Sequence, residues 1–143
     1  MTLKTKILRS LLTGVILIGW TVGCNQQTET KDVVSTVDEF NARVKDAQPG
    51  EVITLAKGVW VDAELVFSAQ GTANAPIILK AEEQGKVIFE GNSYLNIGGE
   101  YLEVSGLVFK NGFTPTSNVI SFRTSKDNLA NNCRVTQCVI DSY

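Results

Sequence analysis

Three stretches of the chain repeat one pattern, three apolar residues, a charge, then small or polar residues. They are Val87-Ile88-Phe89-Glu90-Gly91-Asn92, Leu107-Val108-Phe109-Lys110-Asn111-Gly112 and Cys138-Val139-Ile140-Asp141-Ser142-Tyr143, at offsets of 20 and 31 residues. The match extends backwards, since Leu102-Glu103-Val104-Ser105-Gly106 aligns with Cys133-Arg134-Val135-Thr136-Gln137 at the same offset of 31. A second series sets Ile77 and Leu79 against Leu95 and Ile97, then Ile120 and Phe122, at offsets of 18 and 25 with alternating residues turned inward. Repeats of irregular length, with strands and turns but no helix between them, mark a stacked solenoid whose coils take insertions in their loops. Each coil then buries its apolar residues on the coils above and below, so like stacks on like.

The rest of the chain fits this reading. Short apolar runs such as Val52-Ile53-Thr54-Leu55 and Leu65-Val66-Phe67 alternate with turns at Gly58, Gly71, Gly85, Gly91, Gly98-Gly99 and Gly112. One helix precedes them. Thr36 can cap it, Glu39 can reach back, and Val37, Phe40, Val44 and Ala47 form a single apolar stripe that ends at Pro49-Gly50. Such a stripe needs a surface, and the open end of a β stack supplies one. The expected fold is all-β, a right-handed parallel β-helix over residues 34–143 with an N-terminal α-helical cap and room for about four or five coils from Val52 onward. A β-sandwich is the competing architecture. No capping element follows Tyr143, so the β-helix is expected to be C-terminally incomplete, the leading part of a longer protein.

Residues 1–23 read as a lipoprotein signal peptide: Lys4, Lys6 and Arg9 lead into the apolar run Leu11 to Trp20, too short to span a bilayer. Gly23 directly before Cys24 resembles a lipobox, although Thr21 stands where that motif usually has Leu. Cys24 is thus the expected lipidation site and the membrane anchor, with residues 24–33 as a flexible tether. The expected location is the outer membrane or periplasm of a Gram-negative bacterium.

From Cys24 onward the chain carries 10 basic and 15 acidic residues and no His. That balance argues against nucleic acid as a partner and removes the commonest general base and zinc ligand. The charge is uneven: residues 24–100 carry a net −6, residues 101–143 a net +1. Cys133 and Cys138 would lie about 16 Å apart in an extended segment, too far for a disulfide, and read as buried thiols packed like small hydrophobes.

The string from Gly85 to Gly91, then Leu95 to Gly112, closely resembles the opening coils of polysaccharide lyase family 6. So do Pro49-Gly50, Pro76-Ile77-Ile78-Leu79-Lys80-Ala81 and Arg134-Val135-Thr136-Gln137-Cys138-Val139-Ile140-Asp141. This family of alginate lyases and chondroitinase B has a parallel β-helix fold, and the similarity runs over nearly the whole of Val34 to Tyr143. It implies cleavage of an anionic uronate polysaccharide by β-elimination, with Ca²⁺ held by Asn and Glu, a Lys base and an Arg acid. No position here matches that catalytic motif, so no catalytic residue and no metal ligand is assigned to this chain, and the chain alone is expected to be inactive. The stretch Phe113-Thr114-Pro115-Thr116 looks more like the alginate-cleaving members; dermatan sulfate cleavage, or a non-catalytic carbohydrate-binding β-helix, are the alternatives.

Individual candidates are few. Arg123 and Lys126, in the polar loop after Phe122, can reach an anionic sugar at the edge of a groove; the alternatives are an Arg paired with Asp127 and a solvated Lys. Asp62 with Glu64, and Glu82 with Glu83, are possible cation sites but more simply solvated turn carboxylates. Trp60 is either a sugar-stacking platform or packing beneath the helical cap.

Overall fold

The computed structural model describes residues 33–114 and 118–143. The elements run β1 (Val33–Val34), α1 (Val37–Asp46), β2 (Val52–Leu55), β3 (Gly58–Val61), β4 (Glu64–Gln70), β5 (Ile77–Ala81) and β6 (Val87–Gly91). They continue with β7 (Tyr94–Glu100), β8 (Leu102–Ser105), β9 (Leu107–Gly112), β10 (Ile120–Ser121), β11 (Ala130–Asn131), β12 (Arg134–Thr136) and β13 (Val139–Asp141). The strands wind into three sheets in the orders β1-β2-β5-β8-β12, β3-β6-β9-β13, and β4-β7 with both β10 and β11 on β7. Every pairing between these strands is parallel. The result is a parallel β-solenoid of about three turns with one short helix, not an antiparallel sandwich.

Registers set each inward residue on its counterpart one coil away. Val87 pairs with Leu107 and Phe89 with Phe109 at the offset of 20. The offset of 31 joins Val139 to Val108 and Arg134 to Glu103. One expected ladder is corrected. Ile77 and Leu79 stack on Leu102 and Val104, not on Leu95 and Ile97, which stack instead on Leu65 and Phe67. The offset of 18 fails because it is shorter than any coil: alternating aliphatics look alike on all three faces, and sequence alone does not say which face a strand occupies. Loops that lengthen most coils also explain why the chain makes about three turns rather than four or five.

Aromatic rings make the axis of one ladder. Trp60 lies 5.9 Å from Phe89, which stacks on Phe109 at 4.9 Å, and Tyr143 meets Phe109 edge-on at 5.9 Å. The Tyr143 hydroxyl accepts from the Ser93 N–H at 2.6 Å and lies 2.7 Å from the Gly91 carbonyl oxygen, tying two corners together. Corners turn through left-handed residues that also stack. Tyr101 and Asn132, Gly106 and Gln137, Asn111 and Ser142 all have positive φ and are again 31 residues apart. At Gly99, φ is +105° and an added Cβ would collide with the Ala69 carbonyl oxygen, so only glycine lets the two strands approach there.

The cap forms as its sequence requires. Thr36 Oγ1 accepts the Glu39 N–H at 3.2 Å, and Glu39 Oε2 accepts the Ser35 N–H at 2.7 Å, one residue earlier than a standard capping box. Phe40 and Val44 are buried, and the Phe40 ring sits 6.4 Å from Phe67 over the first strand of the third sheet. The first strand takes in Val33, the last residue of the expected tether.

At the other end, Cys133 and Cys138 continue the Leu102 and Leu107 ladders, since their neighbours Arg134 and Val139 pair with Glu103 and Val108. Both thiols are free and half-buried rather than buried, because they belong to the last described coil. Burial pushes both thiols above the usual cysteine range. Phe122 also departs from expectation: the strand stops at Ser121, and Phe122 is 48% exposed rather than inward.

Phe89→Ala, between two rings, is expected to lower stability by about 3–5 kcal/mol in urea denaturation, whereas Val59→Ala, on an outer face and 57% exposed, should change it by less than about 0.5 kcal/mol. Because the thiolate forms only above the ordinary cysteine pKa of about 8.5, alkylation of Cys133 and Cys138 should be slow at neutral pH. Its rate should keep rising at a pH where a free thiol has levelled off, as mass spectrometry of timed iodoacetamide reactions will read.

Candidate functional site

The carboxylates considered for a cation are committed to the corners of the solenoid. Asp62 Oδ1 accepts the Asn92 N–H at 2.8 Å, holding one corner on the next. Glu64 accepts a hydrogen bond from Tyr94; burial and this carboxylate together push the phenol above its usual range. Glu82 accepts the Lys57 N–H at 3.2 Å, and Glu83 lies 3.6 Å from the Lys57 ammonium. Among the described residues, no group of three or more His, Cys, Asp or Glu side chains is placed to hold a metal ion.

Trp60 packs. Its ring covers Phe89, its Nε1–H donates to the Ala56 carbonyl at 3.1 Å, and it is 8% exposed, so it offers a sugar no open face. Beside it, a shallow cleft of about 490 Å³ lies between the start of α1 and the edge of β3, bordered by Thr36, Val37, Lys57 and Val59.

Arg123 and Lys126 sit on a feature that the repeat pattern did not reveal. Ile120 pairs with Leu95 at an offset of 25, yet Ala130 pairs with Gly99 at an offset of 31, on the same strand β7. Six extra residues therefore leave the third sheet and return to it, as a closed excursion over residues 122–129. An antiparallel bridge joins Arg123 to Leu129, the Ala130 N–H donates to the Phe122 carbonyl at 3.0 Å, and the Thr124 N–H to the Asn128 carbonyl at 3.0 Å. Ser125 Oγ accepts the N–H groups of Asp127 and Asn128 at 3.3 and 3.0 Å, which shapes the tip. Such a loop has little backbone freedom left to lose on binding.

The base of the excursion is seated on the sheet. Asn128 Nδ2 donates to Ser68 Oγ at 2.8 Å and to Thr124 Oγ1 at 2.7 Å. Gly98 lies beneath, where an added Cβ would stand 2.8 Å from both Asn128 Nδ2 and Thr124 Oγ1. Arg123 and Lys126 are exposed and make no ion pair with Asp127 or any other carboxylate among the described residues. Arg134, by contrast, is paired with Glu103 at 2.7 Å on another sheet. Two unpaired cations on a pre-shaped polar loop can attract and hold the carboxylates of a polyanion.

The family model for chondroitinase B matches residues 34–143. The PL6 family alginate lyase AlyGC is 50% identical over 76% of this chain, with a TM-score of 0.74, and the match takes up 15% of AlyGC. A mannuronic acid specific polysaccharide family 6 lyase from human gut microbiota is 31% identical over 76% of the chain, TM-score 0.67, covering 26% of that enzyme. A PL6 polysaccharide lyase from Pseudopedobacter saltans is 30% identical over the same share, TM-score 0.67, covering 24% of that protein. No curated protein matches the chain. The chain thus spans about a quarter or less of these solved structures. With a matching family model along residues 34–143 and the same solenoid in these relatives, the chain belongs to polysaccharide lyase family 6, the chondroitinase B family.

Proposed function

We propose that the protein carrying these coils is an exported alginate lyase that cleaves mannuronate-containing chains by β-elimination. The observation that carries this reading is the 50% identity to an alginate lyase across 76% of the chain; the 31% identity to a mannuronic acid specific enzyme favours mannuronate. In the reaction a base removes the C5 proton of a uronate, the electron pair forms the C4–C5 double bond, and the C4–O glycosidic bond breaks with a proton delivered to the leaving oxygen. The carboxylate at C5 must be neutralised for that proton to be acidic enough. Family resemblance proposes Ca²⁺ for this task, but the described carboxylates do not form a set that fits it.

Within this reading Arg123 and Lys126 hold uronate carboxylates away from the reacting bond. Lipidation of Cys24, outside the described residues, is the proposed anchor to the outer membrane, facing the periplasm or the exterior of a Gram-negative cell. The match to a chondroitinase B model supports a second reading, cleavage of dermatan sulfate.

The ultraviolet absorbance of the unsaturated product separates the readings. With Ca²⁺ present, the intact protein should raise it on polymannuronate and not on dermatan sulfate, and EGTA should abolish the rise. Activity on dermatan sulfate alone supports the second reading, and binding without any product supports a carbohydrate-binding module. Replacing both Arg123 and Lys126 by Ala should raise KM for polymannuronate about tenfold, the loss of about 1.4 kcal/mol, and should flatten its dependence on salt.

A further inference from the structure

We propose that Asn128, seated on Ser68 across Gly98, is a positioning residue that sets Arg123 and Lys126 for the polyanion; the inference rests on the proposed uronate substrate. Three successive coils contribute to this seat. Ser68 belongs to β4, Gly98 to β7 and Asn128 to the excursion that β10 and β11 enclose. The two Asn128 hydrogen bonds, at 2.8 and 2.7 Å, use both protons of its amide, one on the sheet and one on Thr124 of the loop itself. The side chain thereby couples the loop's inner turn to the scaffold, while the loop's ends are already fixed by their pairing with Leu95 and Gly99. Ends and middle together define one orientation of the loop against the sheet.

That orientation matters because the cations flank the seat. Arg123 immediately precedes Thr124, which Asn128 holds, and Lys126 lies at the tip between Ser125 and Asp127. Neither forms an ion pair among the described residues, so the loop is not held through them and they are left to an external anion. Gly98 is the second requirement. A Cβ there would stand 2.8 Å from both Asn128 Nδ2 and Thr124 Oγ1, so these two side-chain ends would have to shift out of the seat. A polymer with one carboxylate per sugar rewards cations held at a fixed place, because the ordering cost is met before binding. Asn128 touches no substrate; it acts through its neighbours.

The test compares Asn128→Ala, Ser68→Ala and Gly98→Ala in the intact protein with the Arg123→Ala/Lys126→Ala double variant. Asn128→Ala should raise KM for polymannuronate about tenfold with kcat and thermal midpoint near the wild-type values, and Gly98→Ala should do the same by a different route. Combining Asn128→Ala with the double variant should add nothing further, since both remove one effect. An unchanged KM in Asn128→Ala, or a loss that adds fully to that of the double variant, overturns the inference. Ser68→Ala, which removes a single hydrogen bond, carries the test if Asn128→Ala fails to fold. Retardation in gels containing alginate reads binding without chemistry. If the wild-type protein is retarded and Asn128→Ala is not, the positioning role stands even where no cleavage is found and the lyase reading fails. Cleavage with unaltered Asn128→Ala kinetics leaves the lyase reading and removes this inference, and a wild-type protein that is not retarded overturns it.

Discussion

Every coil of this solenoid depends on the residue directly above or below it. Among the described residues no sheet has a second layer packed against its outer face; the interior is closed by three strands of one turn and filled by stacking turn on turn. The Trp60, Phe89 and Phe109 rings, and the Ile53, Leu79 and Val104 column, are therefore both the core and the device that fixes register. A one-residue slip would turn each inward column to solvent. The left-handed corner residues share this discipline, because a corner that failed to stack would shift the strand after it.

A scaffold of this kind separates stability from function in a particular way. Inward positions are dictated by neighbouring coils, whereas a loop between two strands can lengthen without disturbing either, provided it re-enters the same groove of backbone hydrogen bonds. Residues 122–129 do so: the chain leaves β7 after Ser121 and rejoins it at Ala130. What the loop carries is free to be polar and charged. Among the described basic groups Arg43, Lys57 and Arg134 are engaged with Glu51, Glu83 and Glu103; Arg123 and Lys126 share the lack of an ion pair with Lys45, Lys80, Lys86 and Lys110, and differ from them in sitting on this seated loop.

Much of the fold was legible in the sequence, for a physical reason. Stacking of like on like writes itself as repetition, so the ladders at offsets of 20 and 31 and the helix cap at Thr36 were readable from residues alone. Other features were not. The face on which Ile77 and Leu79 lie is not marked in the sequence, because alternation of aliphatics carries no label for one sheet over another. The excursion was hidden because Ile120 keeps the offset to Leu95 while Ala130 keeps that to Gly99, and only paired strands reveal that both belong to one partner. Arg123 and Lys126 were recognisable as candidates by their charge; the seat beneath them, Asn128 on Ser68 over Gly98, joins residues 30 and 60 positions apart and leaves no local pattern.

The most direct measurement is a crystal structure of the intact protein soaked with a mannuronate oligosaccharide too short to be cleaved. The account predicts sugar density along the outer face of the third sheet, with carboxylates against Arg123 and Lys126 and the Asn128 to Ser68 hydrogen bond unchanged. An oligosaccharide bound on another face, with this loop left untouched, would contradict it.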